Sequence, residues 1–155
     1  MRTSPGLTLI ELVVTLAIFA ILLGVALVFL PNDHVAVNQA ANGFARQFAR
    51  ARLEALKNDT FAGITVATTG DGSYQVCVDQ NANRQCDPGE AIQSVVMGQG
   101  NDSKVRITSA AFSQFLFDPR GIPITSPAGA VTFSNPSGSY TVTVQVTTTG
   151  EATVQ

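Results

Sequence analysis

Two places in the chain hold residue types and spacings suited to chemistry. The first is Cys77–Glu90, which reads CVDQNANRQCDPGE. Asp79, Asn81, Asn83, Gln85, Asp87 and Glu90 fall at positions 1, 3, 5, 7, 9 and 12 of an EF-hand-like loop. Side-chain oxygens at alternate positions of a curled loop can converge on one calcium ion. Position 6 of such a loop wants Gly; here it is Arg84, whose charge opposes a cation. The competing reading is a long β-hairpin connection, because Asn, Asp and Gly favour turns for conformational reasons alone. Calcium is the one cofactor expectation, set against none. Cys77 and Cys86 bracket this loop and are the only cysteines. In an exported domain they are expected to form a disulfide. No C-x-x-C redox pair and no second zinc-type pair is present.

The second place is Glu11. It stands at the edge of the apolar run Leu12–Leu30, LVVTLAIFAILLGVALVFL, which has no charge and only Thr15 as a polar residue. A helix from Leu7 to Leu30 would be about 36 Å long, enough to cross a bilayer core of about 30 Å. A carboxylate at the centre of such a span costs about 2.5–3.5 kcal/mol, less near its end, so Glu11 calls for a partner. An ordinary secretory signal is disfavoured: the run is too long, and Val28–Asp33 at its end reads VFLPND, with no small-x-small cleavage site. Enzyme chemistry has little to build on. His34 is the single histidine, expected at headgroup level, and no Gly-rich phosphate loop occurs. Net charge is −2 over 155 residues, which gives no basic balance for nucleic acid.

The elements that position these residues follow from periodicity. Pro31-Asn32-Asp33-His34 interrupts the apolar segment as a kink or short break. Helical spacing resumes from Val35 to Lys57, where Ala41, Phe44, Ala45, Phe48, Ala51 and Ala55 form an apolar stripe. Arg46 and Arg50 share another face, most simply a solvated one. Strands are expected at 64–68, 73–78, 92–97 and 105–108, with an apolar burst at Phe115-Leu116-Phe117. The clearest alternation is Tyr140, Val142, Val144 and Val146 against Thr141, Thr143, Gln145 and Thr147, which predicts a half-buried strand. Val131 and Phe133 should pair with it across Asn135-Pro136-Ser137-Gly138, and a last strand follows Gly150. The fold class is α+β: a long N-terminal transmembrane helix packed on an antiparallel β-sandwich-like head.

Gly6-Leu7-Thr8-Leu9-Ile10-Glu11-Leu12, with the uncharged run behind it, resembles the leader junction of type IV pilins and type II secretion pseudopilins. The resemblance divides the chain into a leader 1–6, a transmembrane or filament-core helix 7–30, its continuation 31–58 and a β-rich head 59–155. It implies cleavage between Gly6 and Leu7 by a prepilin peptidase, followed by N-methylation of Leu7, where the family more often has Phe. The new amine would lie four residues from Glu11, on one helix face. The resemblance assigns Glu11 to aligning neighbouring subunits during assembly. Ala49–Ala55 and Phe117-Asp118-Pro119-Arg120-Gly121-Ile122-Pro123 are similar to the GspH/FimT branch of minor pilins. Implied partners are other pilin or pseudopilin subunits, the prepilin peptidase, an inner-membrane assembly platform and membrane lipids. The implied location is the inner membrane, single-pass with a periplasmic head, then a filament at the cell surface. Some relatives bind DNA through a G-R-x-R-like segment. The matching Gly150-Glu151-Ala152-Thr153 lacks both bases, so DNA is not favoured as a partner. Lys104, Arg106 and Arg120 are the remaining bases that could form a patch.

Overall fold

Phe44 and Phe48 show how the chain is put together. Both lie on α2, Asp33–Asn58, whose buried stripe is Val37, Ala40, Ala41, Phe44, Phe48, Ala51 and Ala55. The alanines keep the stripe shallow, so the helix backbone lies close to the strands beneath it, and the two phenylalanines project into them. The Phe44 ring meets Tyr74 of one sheet at 5.1 Å and Phe133 of the other at 5.4 Å. Phe48 meets Phe115 at 5.4 Å and Phe112 at 6.2 Å, both edge-on. Such contacts contribute about 0.5–1.5 kcal/mol each beyond burial. The helix thereby joins two sheets around one core.

This computed structural model describes residues 8–28, 33–125 and 128–155, with the side chains of the first helix described through Leu23. The chain divides into two units, 1–32 and 33–155. In the first, α1 runs Leu9–Val28 and its described side chains are exposed. The expected leader, the Gly6–Leu7 junction and the break at Pro31-Asn32 lie outside the described residues. Among those described, no helix is both long and apolar enough to cross a membrane.

In the second unit the strands are β1 Ala62–Ala67, β2 Ser73–Val78, β3 Ala91–Val96, β4 Arg106–Ala110, β5 Gln114–Phe117, β6 Pro123–Thr125, β7 Gly129–Ser134, β8 Thr141–Val146 and β9 Ala152–Val154. They form two antiparallel sheets, in the orders β3-β2-β1-β5-β6 and β4-β7-β8-β9. The expected strands appear, shifted by a residue or two at their ends. Val131 faces Val144 and Phe133 faces Val142, which places the alternating apolar set of β8 inward as expected. β6 was not foreseen. Its Pro123 is tolerated because it opens a short strand on a sheet edge. His34 stacks on Tyr140 with ring centroids 3.9 Å apart, so the expected headgroup-level residue packs against the head.

Candidate functional site

The helix that carries Glu11 starts with its own cap. The Thr8 hydroxyl accepts the Glu11 amide at 3.3 Å, and the Thr8 carbonyl accepts the amides of Glu11 and Leu12 at 3.1 and 3.2 Å. Thr8-x-x-Glu11 therefore has the spacing of a capping box, a local signal present in the sequence. A carboxylate in the first turn also faces the positive end of the helix dipole. Among the described residues no cation pairs with the Glu11 carboxylate. Thr15 satisfies its own hydroxyl by donating to the carbonyls of Glu11 and Leu12 at 3.0 and 2.9 Å. Glu11 is thus the one side chain in this stretch whose polar atoms the helix does not itself satisfy.

The loop after β2 brings all six expected calcium positions together, tied chiefly to each other and to the backbone. Asp79, fully buried, accepts the amides of Asn83 at 3.3 Å and Arg84 at 2.7 Å. Glu90 accepts the amides of Gln80 and Asp87, both at 2.9 Å. Asp87 accepts the side-chain amides of Asn81 and Asn83 at 2.9 and 2.7 Å. Asn83 Oδ1 accepts the Gln85 amide at 2.8 Å. Arg84, at the position where Gly was wanted, adopts φ +63° and sets its guanidinium over the Phe61 ring at 5.3 Å. Among the described residues no group of three or more His, Cys, Asp or Glu is placed to hold a metal ion.

Cys77 and Cys86 form a disulfide, with Cα atoms 5.7 Å apart. The loop is also anchored to the end of α2 and the start of β1. Thr60 donates its hydroxyl to the Asp79 carbonyl at 2.7 Å, and the Asp79 amide donates to the Phe61 carbonyl at 2.8 Å.

The segment after β5 is a turn built on Asp118. Its carboxylate accepts the Ile122 amide at 2.8 Å and the Arg120 amide at 2.9 Å, and pairs with the Arg120 guanidinium at 3.0 Å. The Ile122 amide first, then the Arg120 side chain and amide, hold this carboxyl below the usual carboxylate range. Gly121 (φ +73°) sets the turn on α2, where an added Cβ would lie 3.1 Å from Arg52 Cγ. Gly150 (φ +76°) sits closer still: a Cβ there would lie 2.5 Å from Phe117 Cε1.

Five of the bases have partners. Lys104 pairs with Asp33 at 3.0 Å, Arg106 with Asp71 at 2.8 Å and Arg120 with Asp118. Arg50 donates to Gln93 Oε1, and Arg52 donates to the Thr149 carbonyl with its guanidinium over Phe117 at 5.1 Å.

The family described as Type II transport protein GspH matches residues 40–150, from the buried stripe of α2 through Gly150. The chain belongs to the GspH family. The Prokaryotic N-terminal methylation motif matches residues 1–27. A relative named Pilin-like protein PilA1, from Thermus thermophilus, is 41% identical over 99% of each chain. Two crystal structures of the type IV minor pilin FimU of Pseudomonas aeruginosa share the fold. At 10% identity their TM-scores are 0.54 and 0.56, covering 76% and 80% of this chain and 91% of theirs. This GspH-family chain therefore has an α+β fold shared with those structures. Within the GspH match, Gly150 has a positive φ and no room for a side chain against Phe117, and Gly121 has a positive φ and a tight fit against α2.

Proposed function

We propose that the protein is a minor pilin or pseudopilin that primes or enters a type IV pilus or a type II secretion pseudopilus. The observation that carries this reading is Glu11. It is the single carboxylate of an exposed apolar helix, its amide is capped by Thr8, and it has no cation among the described residues. Cleavage between Gly6 and Leu7 would create an amine one helical turn away, able to neutralise it within a subunit or between neighbours. The subunit would wait in the inner membrane with its head in the periplasm. Its partners would be the prepilin peptidase, the assembly platform and other pilins. Intact mass of the mature protein tests the processing step: a Met1-Arg2-Thr3 end would refute it. Glu11→Gln keeps the amide that Thr8 caps and removes the charge. It should leave the head folded and reduce filament incorporation, whereas normal incorporation would reject the pairing role.

A DNA-binding role is the rival. Against it stand the acid pairing of Lys104, Arg106 and Arg120 and the presence of Glu151 where a base would be needed. Filter binding at two salt concentrations separates the two. Salt-sensitive micromolar retention of DNA would favour the rival, and no retention at low salt is expected.

A further inference from the structure

A cavity of about 330 Å³ lies between α2 and the turn that enters β9. That volume suits a small ligand or the end of a peptide. Ala45, Phe48 and Ala49 of α2 and Ala152 of β9 give it apolar walls, and the two helix alanines, one turn apart, leave the room. Among the described residues that line it, Arg52 is the one base and Glu151 the one acid. Arg52 is half-buried, with its guanidinium over the Phe117 ring, and donates one Nη to the Thr149 carbonyl. Its Nε is buried without an acceptor, and among the described residues no acid pairs with its charge. Cations and donors removed from water are normally matched, so a half-buried guanidinium in this state calls for an anion.

The second feature is the edge of β9. The Thr143 and Gln155 backbones exchange both hydrogen bonds, at 3.2 and 2.8 Å, and the Thr147 amide donates to the Glu151 carbonyl at 2.9 Å. Residues 151, 153 and 155 therefore turn their backbone groups to β8, and Ala152 and Val154 turn theirs the other way. β9 is the last strand of its sheet, so among the described residues that edge is open.

We propose that this cavity takes the free C-terminal carboxylate of an extended apolar peptide. The carboxylate sits on the Nη atoms of Arg52, the last side chain lies among Phe48 and the alanines, and the preceding backbone runs along the open edge at Ala152. Arginine capture of a carboxylate and strand addition at a sheet edge are both general ways to hold a chain end. A phosphate chain fits poorly, because it brings several negative charges to one arginine beside Glu151. Every residue of the site belongs to the head, so it would act with or without filament assembly.

The test uses the full chain in non-ionic detergent. The probe is a fluorescein-labelled tetrapeptide of valine, threonine, valine and C-terminal alanine, made as the free acid and as the amide and read by anisotropy. The acid should bind about tenfold more tightly than the amide, and less tightly as salt is raised. Glu151→Gln removes a like charge and should tighten the acid about threefold, a gain that misfolding cannot produce. Ala49→Leu fills the cavity from an exposed helix position and should abolish binding. Arg52→Gln should erase the difference between acid and amide, with a thermal melt to confirm that the head is folded. No binding of the acid, equal affinity for acid and amide, or acid binding unmoved by Ala49→Leu would each overturn the proposal. Displacement of the peptide by a short oligonucleotide would overturn it as well, assigning the arginine to phosphate.

Discussion

Reducing the Cys77–Cys86 bridge should lower the stability of the head by an amount that the loop itself sets. The cysteines are nine residues apart, so the closed loop contains ten residues. Chain entropy then assigns the bridge about 2.7 kcal/mol at 25 °C, exerted on the unfolded chain. The native loop has its own fastenings, since Asp79 and Glu90 each accept two backbone amides whether or not the bridge is present. Reduction should therefore leave the fold intact and act mainly by freeing the unfolded chain. For a head of roughly 120 residues, 1 kcal/mol corresponds to about 4 °C, so the melting point should fall roughly 10 °C. The assay is thermal and urea unfolding of residues 33–155, oxidised and reduced, with Cys86→Ser as a second route to the open form. The urea slope should rise slightly in the reduced form, because a longer unfolded chain exposes more surface. Midpoints that agree within about 2 °C would refute the reasoning, as would two titratable thiols in the untreated native head.

Gly150→Ala should cost about 2–4 kcal/mol, from a positive φ together with a Cβ 2.5 Å from buried Phe117. Gly138→Ala has a similar φ and nothing within 4 Å, so it should cost only about 1 kcal/mol, and the difference between the two melting points isolates the contact. Burial, with a smaller contribution from the Asp102 charge, pushes the Tyr74 hydroxyl up to about 12. The unfolded chain loses that proton first, near pH 10. Stability linked to Tyr74 is thus complete below pH 10 and lost between 10 and 12; Tyr74→Phe should flatten this part of the pH–stability curve. Calcium at millimolar concentration should leave the melting point of the head unchanged, because the loop carboxylates already hold amide donors and Arg84 brings positive charge. A calcium-dependent rise would support the ligand reading of Asp79–Glu90.

Local rules read most of the head. The α2 stripe and the β7–β8 pairing followed from period alone, since one face of each element is buried against a single core. Period could not order the strands. Nothing local to Ala62–Ala67 says that it lies between β2 and β5, because that placement depends on surfaces far apart in the chain. β6 was hidden by Pro123, which reads as a strand breaker unless the edge position is known. The Asp79–Glu90 loop shows a different limit. Alternating Asn and Asp side chains serve equally to ligate a cation and to accept backbone amides in turns, so the sequence posed the choice without the geometry to decide it. The Thr8–Glu11 cap was legible in the T-x-x-E spacing, but an acid beside an apolar run fits a distant partner equally well.

Lys104 and Arg106 reach acids far away in sequence, Arg120 reaches one two residues off, and each base is held at 3.0 Å or less by a carboxylate. Exposed pairs of this kind add little stability, about 0–1 kcal/mol. Their larger effect is on the field outside the head: pairing withdraws these three bases from any positive surface that could attract a polyanion. Under the proposed function Glu11 in the stem acts on assembly without these bases of the head. Charge removal at Glu11 should therefore reduce incorporation whatever substitutions Lys104, Arg106 and Arg120 carry, and an incorporation that falls only when those bases are changed would refute this.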